Sequence, residues 1–138
     1  MNQAHPIVIV GSGIAAWSTV RELRKQEKSL GLAPQAIVMI CADSGDFYAK
    51  PLLSNALAQK RTPAQLVTTP ASSMAQTLAV RLQAFTTVSA IDTGAQTVHS
   101  SQGDWTYRHL VLAVGAQPIR LPLAGDAAEA VVSVNSLD

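Results

Sequence analysis

One cysteine, Cys41, stands in 138 residues, which excludes an internal disulfide framework and a Cys-x-x-Cys redox pair. Charge is scarce and balanced, with 14% Asp, Glu, Lys and Arg and a formal net charge of +1. That balance leaves no electrostatic footprint for nucleic acid or for an anionic membrane surface. No apolar run approaches the ~20 residues of a membrane-spanning helix. The N-terminal run breaks at Gly11 and has no basic segment before it, so a secretory leader is not expected and the cytoplasm is the expected location. Aromatic residues amount to 4%, and Trp17, Phe47, Phe85 and Trp105 read as packing groups rather than a binding stripe. The histidines His5, His99 and His109 share no metal-ligand spacing, and neither a Ser-His-Asp order nor a pair of carboxylates stands out. Hydrophobic residues make up 48%, which is the composition of a globular chain with a core of its own.

What the sequence does carry is concentrated at its start. Ile7-Val8-Ile9-Val10 is a β-branched run of the kind a buried parallel strand requires, and it ends in Gly11-Ser12-Gly13-Ile14-Ala15-Ala16. In a Gly-x-Gly-x-x-Ala turn the first glycine permits the tight exit from the strand. The second lets the backbone approach a diphosphate with no Cβ in the way, and the third position needs only close helix–strand packing. The helix that follows presents unpaired N–H groups and the positive end of its dipole, which suits an anion.

Beyond the turn, Ala16, Val20 and Leu23 fall at helical spacing, and Gly31 and Pro34 mark the end of that helix near Ser29 to Leu32. Ala36 to Cys41 reads as a second buried strand, completing a βαβ unit. A loop over 42–50, a helix over Pro51 to Gln59 and a short helix over Ala71 to Ala79 follow. From Val80 the pattern becomes short strand-like pieces at 80–82, 87–91 and 96–99, with Gly94 and Gly103-Asp104 as turns, which reads as a small antiparallel meander. His109 to Val114 is a third buried run, closed by Gly115. The whole is a single α/β domain over 1–138.

With those pieces placed, the chain resembles the N-terminal part of the FAD-dependent pyridine-nucleotide reductases, in particular those that reduce rubredoxin or flavorubredoxin with NADH. Four segments carry the resemblance: the strand and glycine turn over 7–16, Asp46-Phe47-Tyr48-Ala49-Lys50-Pro51-Leu52-Leu53-Ser54, Thr87-Val88 before Ile91-Asp92, and Leu110-Val111-Leu112-Ala113-Val114-Gly115-Ala116-Gln117-Pro118. Val114 stands where the family commonly has Thr. The resemblance implies a Rossmann-like FAD-binding domain, a parallel sheet with a small antiparallel β-meander. It also implies FAD as cofactor, NAD(P)H as a substrate reached through a domain this chain lacks, and a rubredoxin-type iron protein as electron acceptor. On this reading the chain is the N-terminal portion of a longer reductase, expected to bind FAD weakly and not to oxidise NADH by itself. Two other readings stay open: a stand-alone dinucleotide-binding module without catalysis, and the same flavoprotein type with another acceptor.

Residue by residue, the resemblance puts Gly11, Ser12, Gly13, Ile14 and Ala15 along the FAD diphosphate, through backbone N–H groups and the Ser12 hydroxyl. Cys41 and Ala42 fall where the family contacts the adenosine ribose, and Asp43 is either an acceptor for ribose hydroxyls or a loop-capping carboxylate. Cys41 itself reads as a small buried hydrophobe rather than a redox centre. Lys50 either approaches the flavin or its phosphates or is a solvated surface lysine. Val88 either abuts the adenosine or is a plain core valine, and Gly115 either passes close to the cofactor or simply ends a strand. Disulfide reductases of this superfamily place redox cysteines after the second strand and its loop. Here Ser54 and Asn55 occupy that region and offer no thiolate, so electrons would leave the flavin directly for an acceptor whose iron is held by thiolates.

Overall fold

The computed structural model describes residues 5–137; residues 1–4 and 138 of the expected domain lie outside the described residues. Strand β1 (Ile7–Val10) leads through the glycine turn into helix α1 (Ile14–Ser29), and β2 (Ile37–Ile40) follows. Every residue of β1 and β2 is buried. The reason is that both faces of these strands are covered. Ile7, Ile9, Ile37 and Met39 pack under α1 against Ala16, Trp17 and Val20. On the other face Val8, Val10, Val38 and Ile40 pack against Val98 and Tyr107. A strand buried on both sides reads as a continuous apolar run, which is why these two were legible.

Helix α1 ends where the glycine and proline signals put it. Gly31 has φ +65°, the Leu32 N–H donates to the Glu27 carbonyl at 2.8 Å and the Gly31 N–H to the Lys28 carbonyl at 3.3 Å. That pair of bonds is a Schellman closure, which satisfies carbonyls the last turn would leave open.

Between residues 50 and 60 the expected helix is absent: Lys50–Asn55 is a 3-10 turn, followed by irregular turns to Lys60. Leu53 alone is buried there, while Leu52 and Leu57 are exposed. With one anchoring side chain, the segment lacks the apolar stripe that holds a longer helix to a core. Two short helices, α2 (Pro63–Leu66) and α3 (Ala71–Thr77), lead to β3 (Val80–Gln83).

Strand β3 corrects the expectation for Val80: it pairs in parallel with β2, Val80 opposite Ile37, and is not part of the meander. The meander is β4 (Val88–Asp92), β5 (Thr97–Ser100) and β6 (Gly103–Thr106), all antiparallel. Gly103 opens β6 with φ +116° rather than forming the turn, which lies at residues 101–102. Strand β7 (His109–Leu112) then returns to pair in parallel with β1, giving a sheet of order β3-β2-β1-β7. The third apolar run is shorter and less buried than its composition suggested, since Leu112 is 59% exposed and β7 is an edge of the sheet.

The meander is tied to the sheet by a cation–π contact, with the Arg81 guanidinium 4.7 Å from the Trp105 ring centre. The loop from β3 to β4 contains a strained residue: Phe85 has φ +51° and is 69% exposed. A bulky side chain in the left-handed region costs about 1–2 kcal/mol, and little packing offsets it here. Phe85→Gly is therefore expected to raise stability by about 0.5–1 kcal/mol, after the entropy that glycine loses on folding. Urea unfolding of the two chains measures the difference, and a destabilised variant would show that the ring is held by more than its backbone.

Candidate functional site

The sheet order sends the chain to one side of β1 for β2 and to the other for β7. Crevices at such reversals, outside the carboxyl ends of parallel strands, are where open α/β sheets bind ligands. A cleft of about 970 Å³ lies at those ends, lined by Val10 and Gly11 at the exit of β1, Ile40 and Cys41 at the exit of β2, and Leu112 and Ala113 at the exit of β7. All eleven residues singled out in the sequence line it: Gly11, Ser12, Gly13, Ile14, Ala15, Cys41, Ala42, Asp43, Lys50, Val88 and Gly115.

The two glycines of the turn are glycine for different reasons. Gly11 has φ +109°, and a Cβ there would run into the Ala113 carbonyl oxygen and lie 2.7 Å from its carbon. The exit of β7 crosses directly over this residue, so Gly11 is required by the protein's own packing. Gly13 has φ −73°, ordinary for any residue, and a Cβ there would meet nothing within 4 Å. No atom of the described residues demands glycine at that position, yet it lines the cleft.

Gly13 is also the N-cap of α1, and among the described residues no side chain caps the helix start; the first turn carries no acidic residue. The first-turn N–H groups and the positive end of a sixteen-residue helix therefore open on the cleft, at Ile14 and Ala15. This is a cradle for an anion, with space where a Cβ would stand, and it suits the diphosphate of a dinucleotide. Lys50 is the only cationic side chain lining the cleft among the described residues.

The other wall is built from the loop after β2. The Ser12 hydroxyl donates to Asp43 Oδ1 at 2.8 Å, and the Gly45 N–H donates to the same oxygen at 3.0 Å. Ser12 thus directs its side chain to Asp43 in this structure. Trp17, fully buried on α1, donates its indole N–H to the Gly45 carbonyl at 3.1 Å and so anchors the loop to the core. Gly45 has φ +79°, and a Cβ on it would press on Cys41 Sγ and Leu82. Asp46 accepts from the Ala71 N–H at 2.7 Å, which fixes the start of α3.

Cys41 is buried, and its thiol is pushed up to about 12, by burial first and then by the nearby Asp43 carboxylate. At neutral pH it carries no thiolate, which agrees with its reading as a small buried hydrophobe. Thr86, which no quoted motif contained, and Thr87, which lay in the quoted Thr87-Val88 segment, line the cleft just before Val88, with the Thr86 N–H donating to the Cys41 carbonyl at 2.8 Å. Asp46 and Tyr48 also line it; both lay in a quoted motif, and that was the signal available. Asn135 lines it too and donates to the Ala116 carbonyl at 3.3 Å, a contact with no sequence signal. Among the described residues, no helix is long and apolar enough to cross a membrane.

The chain is similar to a rubredoxin-NAD(+) reductase from Acinetobacter baylyi, 43% identical over 138 residues, covering 96% of this chain and 34% of that protein. It is also similar to a nitric oxide reductase FlRd-NAD(+) reductase from Escherichia coli, 38% identical, covering 94% of this chain and 33% of that protein. Among solved structures it resembles the covalent putidaredoxin reductase–putidaredoxin complex, with TM-score 0.71 and 31% identity, over 92% of this chain and 30% of that one. The chain thus spans about a third of the length of these relatives. With residues 5–138 matching the family model, the chain belongs to the pyridine nucleotide-disulphide oxidoreductase family.

Proposed function

We propose that this chain forms the FAD-holding part of a flavoprotein that passes electrons from NAD(P)H to a rubredoxin-type iron protein. The observation that carries the reading is Gly13, a glycine with no protein reason to be one, at an uncapped helix start on a cleft of dinucleotide size. The names of the rubredoxin- and flavorubredoxin-reducing relatives support the choice of reaction and acceptor. When bound, FAD supplies the hydride-accepting and electron-passing chemistry. The chain's own residues bind and orient it. Backbone N–H groups over 12–15 hold the diphosphate, Asp43 accepts from ribose hydroxyls, Val88 and Gly115 flank the cofactor, and Lys50 adds positive charge. This chain has no dithiol to relay electrons: Cys41 is its single cysteine, and its thiol stays protonated. On this reading electrons go from the flavin to the acceptor directly.

Titration of the purified chain with FAD by calorimetry tests the reading, with saturable one-to-one binding expected and NAD⁺ as the competitor. Gly13→Asp sharpens it. An aspartate at the N-cap stabilises the helix, but it places a carboxylate where the diphosphate would lie. The variant is expected to keep or gain thermal stability while losing about 2 kcal/mol of FAD binding, roughly thirtyfold in Kd. Undiminished FAD binding by Gly13→Asp would remove the diphosphate from this turn.

A further inference from the structure

Asp43 is held at two points. Its backbone carbonyl accepts the Phe85 N–H at 2.9 Å and faces Cys41 Sγ at 3.5 Å. Its Oδ1 accepts both the Ser12 hydroxyl and the Gly45 N–H. Both of those bonds fall on the same oxygen, one from a side chain and one from the backbone. A carboxylate fixed through one oxygen, on the wall of a cleft, leaves the other as an oriented acceptor. Ser12, 7% exposed and 31 residues away in sequence, supplies a side-chain donor to that fixed oxygen.

We propose that Ser12 is a positioning residue: its hydroxyl orients Asp43 so that Oδ2 accepts hydrogen bonds from the vicinal hydroxyls of a ribose. The inference rests on the reading that the cleft takes the ADP half of a dinucleotide. It adds that the second residue of the glycine turn acts through its side chain on the sugar, while its backbone serves the diphosphate. The turn and the ribose site are thereby coupled, and the choice of a ribonucleotide over a deoxynucleotide depends on a hydroxyl that touches neither.

The experiment compares ADP with 2′,3′-dideoxy-ADP by calorimetry on the full chain, in the native sequence and in Ser12→Ala, Asp43→Asn and the double variant. The native chain is expected to prefer ADP by about tenfold, the worth of one charge-assisted hydrogen bond. Ser12→Ala is expected to bring that preference below about threefold by weakening ADP more than the dideoxy analogue. Asp43→Asn should do the same, and the double variant should lose no more than Asp43→Asn alone. A purely structural serine would lower both ligands together. A preference left at its native value in Ser12→Ala, or absent from the native chain while FAD still binds, overturns the inference alone. A native chain that binds neither FAD nor ADP overturns the reading beneath it as well.

Discussion

Gly11→Ala is expected to leave the chain without a stable fold. The added methyl has no room, because it meets the Ala113 carbonyl, and neither backbone can retreat. The Gly11 N–H is bonded to the Ile40 carbonyl at 2.8 Å and the Ala113 N–H to the Val10 carbonyl at 2.8 Å, so both strands are pinned at the point of overlap. A φ of +109° adds strain for any residue with a Cβ. Such a conformation costs about 1–3 kcal/mol by itself, and displacing a ladder bond brings the total to at least about 4 kcal/mol. Small domains have a net stability of about 5–15 kcal/mol. Circular dichroism and the fluorescence of buried Trp17 should report an unfolded or thermally labile chain. A cooperative transition within a few degrees of the native one would show that β7 does not cross Gly11 as described.

The contrast between Gly11 and Gly13 shows how far the sequence could be read. The pattern Gly-x-Gly-x-x-Ala located the turn and gave Gly11 the tight exit from the strand and Gly13 the approach of a ligand. Only the position of β7, far along the chain, reveals that Gly11 also answers to packing against Ala113, while a Cβ on Gly13 would meet nothing within 4 Å. Most of the residues that line the cleft were legible because they sit near the ends of strands that announce themselves as apolar runs, and the chain reversal collects those ends. The partner of β3 was not legible. Val80 and Leu82 alternate as an antiparallel strand would, but period two states only that one face is less buried, not which neighbour supplies the ladder. Likewise β7 has the composition of β1, but composition cannot count how many faces are covered. The Ser12–Asp43 bond was out of reach for a simpler reason. A serine in a turn and an aspartate in a loop each have a local explanation, and nothing in either marks the other.

The charged clamp at the far end of α1 was equally hidden, and it carries the other large expected effect. Arg24 and Glu27 are charged residues of a helix, yet both are largely buried, with Arg24 Nη1 donating to Glu27 Oε2 at 2.7 Å. The same guanidinium donates to the carbonyls of Leu78, Gln35 and Ala79 at 2.7 to 3.0 Å, and Glu27 Oε1 accepts the Gln35 N–H at 2.8 Å. One side chain thereby joins α1 to the turn before β3 and to the approach to β2. Arg24→Met keeps the length and removes every donor, leaving the buried carboxylate without its charge partner and three carbonyls without this donor. The expected loss is about 3–5 kcal/mol. Arg24→Met/Glu27→Leu should recover only part of it, since the carbonyls stay unsatisfied. Acid provides an independent check. Burial pushes the Glu27 carboxyl up, but the Gln35 N–H and Arg24 outweigh it and hold the group below its ordinary 4.5. The unfolded chain then takes up the proton first, so this contribution is complete above that value and fades as pH falls through the lowered folded one. Urea midpoints measured from pH 7 down to 3 should fall less steeply in Glu27→Gln than in the native chain. Parallel curves would mean that the clamp holds its shape without its charge.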